Sequence, residues 1–74
     1  MAYSVKNING ILSVNILKFR KKKGLSQADL AKQLGVTFQA VSKWETARSA
    51  PDISLLPKMA DIFGCTLDEI FKDK

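Results

Sequence analysis

The sequence has 74 residues, 46% of them apolar and 26% charged, with a net charge of +5. That is one domain near the lower size at which a core supports itself, and the composition excludes a disordered chain. A single cysteine, Cys65, and no histidine leave no internal disulfide and no zinc site, so a reducing compartment fits and no metal or other cofactor is expected. Met1 to Val14 lacks the charged-then-apolar order of a signal peptide, and Asn9, Gly10, Ser13 and Asn15 interrupt any membrane span; the chain reads as cytoplasmic.

The charge is polarised. Residues 1–50 carry nine Lys or Arg against Asp29 and Glu45, whereas residues 51–74 carry three against five acidic residues. Such asymmetry suggests that the first two thirds face a polyanion.

In chain order, residues 1–10 have few apolar groups at helical spacing and read as a loose tail, followed by a domain over 11–72. Helix 1 is predicted from about Ile11 to Lys23, with Leu12, Ile16 and Phe19 on one face and Gly24 ending it. Ser26 caps helix 2, Gln27 to Leu34, with Asp29 three residues later; Leu30, Ala31 and Leu34 are its buried stripe and Gly35 closes it. Only Val36 separates that glycine from the next cap, Thr37, so two short helices meet across a tight turn. Helix 3, about Phe38 to Glu45, has only Val41 and Trp44 as large inward candidates and is therefore mostly exposed. After a loop, Ser54 is expected to cap helix 4, with Pro57 at the third helical position and Leu55, Leu56, Met59 and Phe63 buried. Gly64 ends it, and Thr66 with Glu69 forms a capping box for a brief helix 5, Leu67 to Lys72. The fold class is all-α: a compact five-helix bundle with a helix-turn-helix.

The residues Ser26-Gln27-Ala28-Asp29-Leu30-Ala31, Gly35-Val36-Thr37, Val41-Ser42-Lys43-Trp44-Glu45 and Pro51-Asp52 carry a further signal. In order and spacing, over about Leu12 to Phe71, the chain resembles the helix-turn-helix family of lambdoid phage repressors and Cro, also called the xenobiotic response element family. The resemblance implies a sequence-specific transcription regulator, most simply a repressor, that places helix 3 in the major groove of double-stranded DNA, commonly as a homodimer on a palindromic operator.

It also implies roles for individual residues. The first exposed positions of the recognition helix fall on Phe38 and Gln39, with Lys43 one turn later, as the base-reading set. Gln39 suits adenine and Lys43 suits guanine, while Phe38 would meet either a thymine methyl or the sugar-phosphate wall. Gln27 at a helix N-terminus, Thr37, Ser42, and Thr46 with Arg48 after helix 3 are the phosphate set. Ala47 stands where the family often has glycine. A glutamate in the last turn of helix 3 opposes the helix dipole and needs a cation; the resemblance supplies Arg20 as the partner of Glu45.

The run Lys21-Lys22-Lys23 is explained by the dipole of helix 1 without any DNA contact. No histidine, nucleophile elbow or phosphate-cradling glycine loop supports catalysis, so no enzyme is expected. The competing reading is a protein-interaction module, such as an antitoxin or anti-repressor, built on the same fold.

Overall fold

The computed structural model describes residues 8–72, so residues 1–7 of the expected tail lie outside the described residues. The elements are α1 (Ile8–Lys22), α2 (Gln27–Leu34), α3 (Phe38–Glu45), a 3-10 turn (Ile53–Leu55), α4 (Leu56–Phe63) and α5 (Leu67–Ile70). No strand occurs among the described residues.

Ile16, Leu30, Val41, Met59 and Ile70 are the largest fully buried side chains, one from each helix. Each such burial stabilises by about 1.5 to 3 kcal/mol, so every helix, even the shortest, is tied to one shared core. Leu12, Ala31, Leu34, Trp44, Leu56, Ala60 and Phe63 complete that core. Phe19 stacks on Phe63 at 5.7 Å between centroids and joins α1 to α4.

The helix-turn-helix corner is built from local hydrogen bonds. Gly35 adopts a left-handed φ of 73°, which a residue with Cβ resists, and this lets the Val36 N–H donate to the Ala31 carbonyl at 2.9 Å. The chain then turns extended at Thr37, whose hydroxyl accepts from the Ala40 N–H at 3.2 Å and starts α3. At the other end of α2, Ser26 and Asp29 form a reciprocal capping box.

Three boundaries differ from the sequence reading. Helix α1 starts at Ile8, so residues 8–10 are its first turn and not tail. Ile8 lies four residues before Leu12 and extends the apolar stripe onto the core, and the Ser13 hydroxyl donates to the Gly10 carbonyl at 2.9 Å. Ser54 does not cap α4: the 3-10 turn runs straight into α4 with Leu55 at the cap position, and the Ser54 hydroxyl donates to the Asp52 carboxylate at 3.1 Å. Pro57 therefore falls at the second helical position, where its missing N–H is still harmless. Finally, α5 stops at Ile70 and not Lys72, because the buried Asn15 amide donates to the Ile70 carbonyl at 2.6 Å and the Lys72 carbonyl at 2.9 Å, drawing the chain off the helix path.

Candidate nucleic-acid interface

The base of the interface is an ion pair between α1 and the end of α3. Arg20 Nε donates to Glu45 Oε2 at 2.5 Å and Nη2 to Oε1 at 3.1 Å, a two-pronged pairing. The third prong, Nη1, donates to the Leu25 carbonyl at 2.8 Å in the turn before α2. The two side chains are only 10% and 5% exposed, which takes this pair out of the weak class of solvated surface bridges. Gln27 joins the same group: its Nε2 donates to Glu45 Oε1 at 2.9 Å. One carboxylate therefore holds together α1, the start of α2 and the end of α3.

On that base α3 turns two unlike faces. Val41 and Trp44 are buried, at 0% and 5% exposure, and pin the helix to the core. Phe38, Gln39 and Lys43 are exposed and Ser42 is half-buried, so the outer face is short or polar apart from the ring of Phe38, which is 53% exposed. A surface of this kind can approach base edges without stranding their hydrogen-bonding groups.

The flanks carry the expected backbone-gripping residues in different states. Thr37 is exposed; its oxygen accepts the cap bond and its hydroxyl proton remains available to a phosphate. Thr46 is exposed too, but its hydroxyl already donates to the Ser42 carbonyl at 3.0 Å, with which a phosphate must compete. Arg48 is exposed beyond a turn closed by its own N–H on the Lys43 carbonyl at 2.9 Å. That turn requires a left-handed residue, and Ala47 supplies it at φ 60°, the one positive φ at a non-glycine among the described residues. The missing glycine thus leaves the turn geometry intact at the cost of local strain.

Lys22 and Lys23 line a hollow with Phe19, Phe63, Gly64, Cys65 and Glu69, between α1, the end of α4 and α5. The Thr66 backbone N–H, aided by its hydroxyl and by Lys72 and Lys22, holds the Glu69 carboxyl below the ordinary glutamate range. Asp29 is likewise held low by the backbone N–H and then the hydroxyl of Ser26. Burial pushes the Cys65 thiol up, as suits a packing residue. No group of three or more residues suited to a metal ion occurs among the described residues, and none of their helices is long and apolar enough to cross a membrane.

Two features escaped the sequence reading. Asn15, 3% exposed, occupies the apolar stripe of α1 between Leu12 and Phe19; a polar residue at that spacing was the available signal. The bond from Gln27 to Glu45 links residues 18 positions apart, and no local pattern announces it.

Comparison with known proteins bears on the fold and the family. A helix-turn-helix family model matches residues 16–70. Over 55 residues the chain is 38% identical to the SPbeta prophage-derived uncharacterized HTH-type transcriptional regulator YonR of Bacillus subtilis, covering 74% of this chain but only 51% of that protein. It is 40% identical over 58 residues to an uncharacterized HTH-type transcriptional regulator of Methanocaldococcus jannaschii, covering 77% of this chain and 88% of that one. Among solved structures, the P22 c2 repressor in complex with a synthetic operator superposes with a TM-score of 0.77 and 30% identity, over 85% of this chain and 96% of the repressor chain. With more than half its length matched by the family model and its fold that of a phage repressor DNA-binding domain, the chain belongs to the helix-turn-helix family of DNA-binding transcription regulators.

Proposed function

We propose that the chain is a repressor that inserts α3 into the major groove of a palindromic operator, reading bases with Phe38, Gln39 and Lys43 and gripping phosphates with Gln27, Thr37, Ser42, Thr46 and Arg48. The carrying observation is the division of α3 into a buried side, Val41 and Trp44, and an exposed polar side, with the helix end fixed by Arg20 and Glu45. Thr37, with its hydroxyl proton uncommitted, ranks above Thr46 as a phosphate ligand. Two copies bind together on the operator, one to each half-site. Such a regulator works where the DNA is, in the cytoplasm.

Selection of bound sequences from a random duplex pool tests the reading. Two similar half-sites about 10 to 10.5 bp apart are expected, one helical turn between copies. Recovery of a single unpaired half-site, with sedimentation showing one protein per duplex, removes the dimer; recovery of no consensus removes base reading.

A further inference from the structure

We infer that Glu45 is a positioning residue for the phosphate grip at the start of α2: by accepting from Gln27 it fixes which way round the Gln27 amide faces. This rests on the DNA reading proposed above. A side-chain amide has two ends of nearly equal size and opposite character, an NH2 that donates and a carbonyl that accepts, whereas a phosphate only accepts. Turned the wrong way, Gln27 would present its carbonyl to the DNA backbone and repel it.

An ionised carboxylate is also acceptor-only, so Glu45 can pair only with the NH2 end, as in the 2.9 Å bond from Gln27 Nε2 to Glu45 Oε1. One amide N–H is thereby engaged and the second is left to donate to DNA. The carboxylate cannot swing away, because Arg20 grips both its oxygens and is itself tied to the Leu25 carbonyl, two residues before Gln27. Arg20 also offsets a negative charge that would otherwise face the C-terminal dipole of α3 and the incoming phosphates. The orientation of a phosphate ligand on α2 is thus set by the last helical residue of α3, and the grip and the reading helix are aligned as one unit.

A methylphosphonate scan of a selected operator half-site tests this, each substitution removing the charge from one phosphate. The wild type should show a loss at one position that Gln27→Ala does not show, which identifies the Gln27 phosphate. Glu45→Gln keeps the size of the side chain but pairs with either end of the amide. It should therefore shrink that same loss while losses at other phosphates persist. Gln27→Ala should then cost less in the Glu45→Gln background than in the wild type. A merely structural Glu45 would weaken every duplex alike and leave the Gln27-dependent position intact, which overturns the proposal. So does the absence of any Gln27-dependent position. If Glu45→Gln does not fold, Arg20→Lys, which keeps the charge but not the two-pronged hold, serves for the same comparison. Failure of the wild type to bind any duplex at low salt would instead overturn the DNA reading itself.

Discussion

The two ends of α3 are held by different means. At its start a threonine cap suffices, and the exposed side chains of Phe38 and Gln39 make no hydrogen bond among the described residues. At its end, Glu45 is gripped by Arg20 and Gln27, and the chain leaves through a left-handed turn at Ala47. A reading helix needs this division: the end that meets bases must keep its hydrogen-bonding groups free, so orientation has to be enforced from the far end and from the buried Val41 and Trp44.

Breaking the fixed end should give the largest effect. Arg20→Ala or Glu45→Ala leaves a shielded charge unpaired and should cost roughly 3 to 5 kcal/mol in urea unfolding. The double variant should cost little more than either single one; strict additivity would mean that the pair does not couple. Next in size is the cap at the free end, where Thr37→Ala should lose about 1 kcal/mol, about 4 to 8 °C in melting temperature for a domain of this size. No loss would show that α3 starts elsewhere in solution. Ala47→Gly sharpens the contrast in the opposite direction. Relief of the left-handed strain, less the added freedom of the unfolded chain, should raise stability by about 0.5 to 1 kcal/mol; a decrease would show that Ala47 is not strained.

The smallest effect concerns acid. Asp29 and Glu69 have carboxyls held below their ordinary range by their capping boxes, so their contribution is complete above the unfolded value near pH 4 and is lost as pH falls through the lower folded value. The paired variant Asp29→Asn, Glu69→Gln should accordingly lose less stability than the wild type between about pH 5 and pH 2. An unchanged acid slope would remove the assignment.

Local chemistry explains how far the sequence could be read. Caps, closing glycines and the apolar stripes of α2 and α3 depend on residues at most eight apart, and Ser26, Thr37, Gly35, Val41 and Trp44 stand in those roles. Where a side chain's partner is remote or the cap rule admits a rival, the reading fails. Ser54 has the right residue type for a cap but turns to Asp52, and Asn15 acts on carbonyls 55 and 57 residues away. Of the interface, the need of Glu45 for a cation is legible from the dipole of α3, Arg20 as that cation only through family resemblance, and the link from Gln27 to Glu45 not at all, because sequence does not say that the start of α2 and the end of α3 converge.

Base reading by α3 is tested most directly by fluorescence anisotropy of Gln39→Ala and Lys43→Ala on a selected operator and a scrambled duplex across a salt series. Each variant should lose roughly 1 to 3 kcal/mol of discrimination at particular operator positions, and Gln39→Ala, which removes no charge, should bind the scrambled duplex nearly as the wild type does. Arg48→Ala, by contrast, should weaken both duplexes and flatten the log-log salt slope by about one unit, since it alone among the phosphate set releases a counterion. Equal loss on both duplexes for Gln39→Ala would contradict the account, because α3 would then be holding DNA without reading it.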